Sequence, residues 1–281
     1  MKFSVAFLTA ALATSAVAAP WTLADRIKAR AEGRQLHYSN PSKAFGASEE
    51  RTFSAQSDET NNTVYGPHYS PTWGGAVLRT PSRSTFKTAT GRFTVPVPRH
   101  VPGAGKESAA AWVGIDGDTC EGAILQTGVD FTIDENGNVN YESWYQFFPA
   151  DSGDYINFKI RAGDVMQVDV NVLSSTTGTV KLSNLSTGQS MGKTLTAARG
   201  SELCQQNAEW IVEDFTYDGV QVPMSDFGMV VFTNAAATHS DGSKEGLERA
   251  TVFNLRKDGD YYTEATIDSA SQATVNFTYR Y

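Results

Sequence analysis

The sequence is poor in the groups on which most hydrolases and redox enzymes rely. It has two cysteines and four histidines in 281 residues. No His-Glu-x-x-His, no Gly-x-Ser-x-Gly and no Cys/His ligand cluster occurs, so no metal site and no cofactor is expected. His37 falls in a leader segment, and His68, His100 and His239 sit in Pro/Gly/Ser-rich loops, where solvated surface histidines are expected. The members of a Ser-His-Asp triad can be remote in sequence, but no pattern here marks one. A lone Asp151-Ser152-Gly153 after Pro149 reads as a turn, because pepsin-like chemistry needs two such motifs. Positive charge is also scarce. Lys+Arg is 23 against Asp+Glu 31, a net −8, which argues against nucleic acid and anionic membrane surfaces as partners. The one long apolar run, Phe3 to Leu12, is too short to span a bilayer.

That run belongs to a processing signal. Lys2 supplies the positive start and Ala16-Val17-Ala18 the small-x-small cleavage pattern. Residues 1–18 are therefore expected to be a signal peptide, and the mature protein to be secreted, extracellular and monomeric. In an exported chain, Cys120 and Cys204 suggest one disulfide. It would close a loop spanning 84 residues, worth about 4 kcal/mol in the chain-entropy picture. Asn61, Asn184 and Asn276 open Asn-x-Ser/Thr sequons, so each is a candidate glycosylation site; Asn40-Pro41-Ser42 is blocked by its proline.

Residues 19–60 read as a propeptide, with a short helix expected from Leu23 to Glu32. Residues 20–56 carry six basic and four acidic side chains, whereas residues 57–281 carry a net −11. A mildly basic leader before an acidic body suits electrostatic pairing of the propeptide with its own enzyme; the alternative is a disordered linker. The body, 61–281, is written in strands and turns. Met166, Val168, Val170 and Val172 alternate with Gln167, Asp169 and Asn171. Asp134-Glu135-Asn136-Gly137-Asn138 marks a hairpin. Val275, Phe277 and Tyr279 share one face of the last segment, with Asn276 on the other. After the leader there is no helical periodicity of about 12 residues or more and no internal repeat. The fold class is all-β, an antiparallel sandwich or barrel.

Carboxylate and amide chemistry remains. In Ala208-Glu209-Trp210-Ile211-Val212-Glu213-Asp214-Phe215, alternation puts Glu209, Ile211, Glu213 and Phe215 on one face. Two carboxyls sharing an apolar strand face raise each other's pKa if buried, the condition for a general base working in acid. The alternative is a solvated face. Gln126, among Ala123, Ile124 and Leu125, offers two N–H donors whose strength is independent of pH, suited to a developing oxyanion; the alternative is a loop amide satisfying backbone. Trp73, Trp112, Trp144, Tyr145, Phe147, Phe148 and Trp210 could floor a groove for an extended chain or fill a core.

These segments in order resemble the fungal glutamic peptidases, or eqolisins, which are pepstatin-insensitive acid peptidases. The resemblance runs from residue 73 to about 281. It rests on Trp73-Gly74-Gly75-Ala76, Ala111-Trp112-Val113-Gly114-Ile115-Asp116-Gly117-Asp118-Thr119-Cys120, Ala123-Ile124-Leu125-Gln126-Thr127-Gly128, Trp144-Tyr145 with Pro149, Asn184-Leu185-Ser186-Thr187-Gly188-Gln189, and Leu203-Cys204 through Asn207 to Phe215. It implies a concanavalin-A/lectin-like sandwich of two large antiparallel sheets and a substrate groove on the concave face. It further implies a catalytic dyad of Gln126 and Glu213, a Cys120–Cys204 disulfide, polypeptide substrates, and Trp73, Trp112, Asp116 and Trp144 lining or supporting the site. Gln146 stands where the family commonly has a glutamate, and Phe148 where it has a tyrosine. The groove thus loses one negative charge, and subsite preference is open. Two other readings compete: a carbohydrate-binding or glycan-cleaving sandwich with Glu142 and Glu213 as paired carboxylates, and a non-catalytic secreted protein.

Overall fold

The structure, a computed structural model, describes residues 37–38, 67–80, 84–217 and 220–280. The expected signal peptide, leader helix, propeptide end and Asn61 lie outside the described residues. The strands in chain order are β1 His37–Tyr38, β2 His68–Ser70, β3 Trp73–Arg79, β4 Phe86–Thr94, β5 Glu107–Ile115, β6 Ile124–Ile133, β7 Val139–Phe148, β8 Gly153–Asp154, β9 Val165–Ser174, β10 Thr177–Asn184, β11 Gln189–Thr196, β12 Asn207–Glu213, β13 Thr216–Tyr217, β14 Val220–Gln221, β15 Met229–His239, β16 Lys244–Glu245, β17 Thr251–Lys257, β18 Asp260–Tyr261, β19 Thr263–Ser269 and β20 Gln272–Phe277. Leu247–Arg249 makes one 3₁₀ turn, and no α-helix occurs among the described residues.

The strands form two large sheets. One has eight strands, ordered β11-β10-β9-β4-β15-β20-β19 with β16 beside β15. The other has nine, ordered β18-β17-β3-β12-β5-β6-β7-β8 with β2 beside β17. Pairing is antiparallel except between β2 and β17. The expected two-sheet sandwich is what the chain forms, and the Asp134–Asn138 hairpin joins β6 to β7 with Gly137 at φ 82°. A third, three-stranded ribbon, β1-β13-β14, joins His37–Tyr38 to the backbone just after Glu213.

Alternation sorts side chains onto two faces. Met166, Val168, Val170 and Val172 enter the core between the sheets, along with Phe93, Val113, Leu125, Trp210, Val212 and Phe232. Each large side chain removed from water contributes roughly 1.5–3 kcal/mol. The opposite face of the nine-stranded sheet carries a second apolar cluster built on Trp73, Trp112, Trp144, Ile211, Phe215 and Phe253. The aromatic residues are therefore divided between core and site face, and Trp210 belongs to the core.

Register turns this second face into three rows. The middle row reads Gly75, Ile211, Trp112, Gly128, Trp144. One flanking row reads Trp73, Glu213, Ala110, Asp130, Glu142, and the other Val77, Glu209, Gly114, Gln126, Gln146. Glycine at 128 is forced by close approach. An added Cβ would lie 2.5 Å from Trp112 Cβ and within contact of the Ala111 carbonyl. Gly128→Ala is expected to destabilise the fold by about 2–3 kcal/mol, measured as a lower urea midpoint with an unchanged slope.

Candidate active site

Strand β12 delivers Glu213 to the site face, where it is fully buried. Its carboxylate accepts the Trp112 indole N–H from neighbouring β5 at 2.7 Å. Trp112 in turn meets Trp73 edge to face, with ring centroids 5.0 Å apart. Gln126 is buried on β6 directly opposite Gln146 on β7, and its Nε2 donates to Gln146 Oε1 at 2.9 Å. Gln146 Nε2 donates to the Ala150 carbonyl at 2.9 Å. Trp144 Nε1 donates to Asp130 Oδ1 at 2.6 Å, and the Tyr217 hydroxyl lies 3.3 Å from Asp130 Oδ2.

The sequence-predicted residues therefore gather on one face, with two qualifications. Gln126 is level in register with Glu209, whereas Glu213 lies four positions further along β12. The line from Gln126 to Glu213 is thus a diagonal across β5, with Trp112 level with its midpoint. Asp116 does not line the face. It sits in the turn after β5 at φ 67°, and its carboxylate accepts backbone N–H groups of Gln205 and Gln206 at 2.7 Å and Asn207 at 3.2 Å. Beside it the Cys120–Cys204 disulfide is formed. Together they fasten the 116–123 loop to the entry of β12.

Burial sets the electrostatics. It pushes Asp116 up to about 6 even though backbone N–H groups pull the other way. Glu142 is pushed up to about 7 by burial and by the nearby charges of Asp130 and Asp154, against the pull of Lys106. Glu209 is raised well above its ordinary value, chiefly by burial and then by Asp116 and Asp118. Both its oxygens are buried without a hydrogen-bond partner among the described residues. Asp118 is paired with Arg79 instead, at 2.5 Å.

Asp130 escaped the sequence reading although it holds Trp144 and Tyr217. The available signal was a carboxylate in step with Gln126 and Gly128 along the alternation of β6. The histidines differ from the solvated surface groups expected. His68 stacks on Phe253 and His100 pairs with Glu107. His239 is buried, with Nδ1 2.8 Å from Ser84 Oγ and Nε2 2.7 Å from Glu245. That order is the reverse of the serine-hydrolase relay, and the group belongs to the eight-stranded sheet. Asn184 is buried with its Nδ2 committed to Asp164 at 2.7 Å, so a glycan on that nitrogen would require the turn to open. Asn276 is half-buried on β20, on the side away from the core. Among the described residues no group of three or more His, Cys, Asp or Glu is placed to hold a metal ion.

A two-sheet sandwich with buried carboxyls and amides ranged across one sheet face has the features of the glutamic peptidases. Residues 71–277 match the Peptidase A4 family, and the chain belongs to it. It is 38% identical to Aspergillopepsin-2 of Aspergillus niger over 99% of this chain and 100% of that one. It is 36% identical to Scytalidopepsin B of Scytalidium lignicola over 74% and 77% of the two chains. Scytalido-glutamic peptidase, solved with a peptide-based transition-state analogue, superposes with a TM-score of 0.64 at 34% identity, covering 74% of this chain and 98% of its own. Aspergilloglutamic peptidase from Aspergillus niger gives 0.58 at 45%, covering 61% and 99%. The chain is thus a glutamic endopeptidase.

The raised carboxyls dictate how stability depends on pH. A carboxyl whose pKa rises on folding supports the folded state while it is protonated, below its unfolded value of 4.5 for a glutamate. That support is withdrawn as pH climbs toward the folded value. Glu209→Gln removes one such titration. Its melting temperature is expected to match wild type at pH 3 and to exceed it by several degrees at pH 7, read by circular dichroism.

Proposed function

We propose that the protein is a secreted acid endopeptidase in which Glu213 is the general base and Gln126 the oxyanion donor. Ionised Glu213 takes a proton from a water molecule as the oxygen of that water bonds to the scissile carbonyl carbon. The carbonyl π electrons move onto oxygen, and a Gln126 N–H stabilises the charge that develops. The tetrahedral intermediate then collapses, the C–N bond breaks, and Glu213 returns its proton to the leaving nitrogen. The observation that carries this reading is the setting of the two groups. Both are buried on the same sheet face, on the strands flanking β5, and each is oriented by a hydrogen bond, Glu213 by Trp112 and Gln126 by Gln146. The relative solved with a peptide-based transition-state analogue supports polypeptide substrates.

The glycosidase reading is disfavoured by register. Glu142 and Glu213 lie in one row but three strands apart. Their backbones are therefore about 14 Å apart, whereas paired glycosidase carboxyls stand at most roughly 9.5 Å apart.

The leader is the enzyme's own first partner in this proposal. The β1–β13 pairing, His37 with Tyr217 and Tyr38 with Thr216, supports it, as does the charge contrast between leader and body. Acid would weaken the ionic part of that contact and expose the chain to cleavage between about residues 50 and 65.

Hydrolysis of an unfolded protein between pH 2 and 6 is expected to ignore pepstatin. Glu213→Gln should lower kcat by about 10³-fold or more, and Gln126→Ala by roughly 10²–10³-fold. Glu213→Gln retaining turnover would remove the general-base assignment. Purified Glu213→Ala precursor held in acid should remain uncut on a gel; self-processing by that variant would rule out activation by its own site.

A further inference from the structure

We propose that Gln146 is a positioning residue for the reaction, fixing which end of the Gln126 amide is turned toward Gln146 and doing so with a group that carries no charge at any pH. The inference rests on the oxyanion-donor role given to Gln126 above.

Its basis is a short chain of hydrogen bonds whose direction is set by its last member. The two ends of a primary amide have nearly the same shape, so a glutamine facing a glutamine can be arranged in two ways. A backbone carbonyl removes that freedom, because it accepts and never donates. The Ala150 carbonyl lies 2.9 Å from one end of Gln146, so that end is the NH₂ group. The other end of Gln146 is therefore its oxygen, and it lies 2.9 Å from Gln126. The Gln126 atom facing it must then be the NH₂ nitrogen. Turning the Gln126 amide over would set two oxygens against each other at hydrogen-bonding distance. Since the amide is planar, fixing one N–H also fixes the direction of the second N–H and of Oε1.

Each part of the chain is held by its element. Gln126 and Gln146 are directly opposed on antiparallel β6 and β7, so their side chains rise side by side from one face. Both are buried, so water does not compete for their donors. The Ala150 carbonyl is held by the turn after β7, whose Ala150 N–H donates to the Phe147 carbonyl at 3.0 Å.

The substitutions that follow are specific. Gln146→Met keeps length and bulk but offers Gln126 no oxygen. Gln146→Glu in acid restores the pattern: the protonated carboxyl donates its O–H to Ala150 and accepts from Gln126 through its carbonyl.

The experiment is steady-state kinetics at pH 3 on a defined peptide for wild type, Gln146→Met, Gln146→Glu, Gln126→Ala and the Gln126→Ala/Gln146→Met double variant, each checked for folding by circular dichroism. Gln146→Met is expected to lose about tenfold or more in kcat with KM within about twofold of wild type. Gln146→Glu should stay within about threefold of wild type at pH 3. In the Gln126→Ala background, Gln146→Met should cost nothing further, since it has no amide left to orient. Equal additional loss in the double variant would mean that Gln146 acts only on the fold, and would overturn the inference. So would a tenfold loss in folded Gln146→Glu at pH 3, an outcome readable even if Gln146→Met fails to fold. If Gln126→Ala itself keeps wild-type turnover, the oxyanion role falls and the inference with it. If Gln126→Ala is inactive while Gln146→Met is unaffected, the inference alone falls.

Discussion

Everything at the site depends on keeping polar groups dry on a sheet face without leaving their functional atoms undirected. A buried carboxylate or amide costs several kcal/mol unless it is met by a partner. The face answers with neutral donors and acceptors. The Trp112 indole meets Glu213, the Trp144 indole meets Asp130, and one glutamine meets another. In these contacts the donors to Glu213 and Asp130 are uncharged indoles, whose N–H groups donate at any pH.

The large tryptophans serve two ends. Their rings supply the apolar area that makes the second face of the nine-stranded sheet cohere, and the N–H groups of Trp112 and Trp144 supply direction. The small residues between them are equally necessary. Gly128 lies in the row of Trp112 and Trp144, where a methyl group would collide with backbone. Bulky aromatics and minimal glycines therefore alternate across the sheet as well as along its strands, and this spacing lets side chains from five strands share one surface.

Much of this was legible in the chain. Period-two alternation placed Glu209, Ile211 and Glu213 together, set Val168 and Val170 on one face of their strand, and located the hairpin at Asp134–Asn138. Those signals are local, and local geometry is what alternation encodes. The cysteine count identified the disulfide because only one pairing exists. What escaped was whatever depends on distant partners. Dryness of the Glu213 face is decided by tryptophans on other strands, so a solvated reading stayed open. Asp116 was expected to line or support the site; that it holds the loop rather than lining the face follows from backbone N–H partners 89 to 91 positions away. His239 resembled a loop histidine because Ser84, 155 positions distant, is invisible from its neighbourhood. Asn184 matched a sequon although its amide is consumed by Asp164.

The joint at the entry to β12 illustrates a division of labour. Two ties hold the same pair of loops, a carboxylate gripping backbone N–H groups and a covalent bridge between sulfurs. With Asp116 pushed up to about 6 by burial, the first tie supports the folded state while that carboxyl is protonated and gives up that support as pH climbs through this value. The second is indifferent to protons. The loop thus carries one fastening that responds to its medium and another that does not, so the strand bearing Glu213 keeps a covalent anchorage whatever the pH.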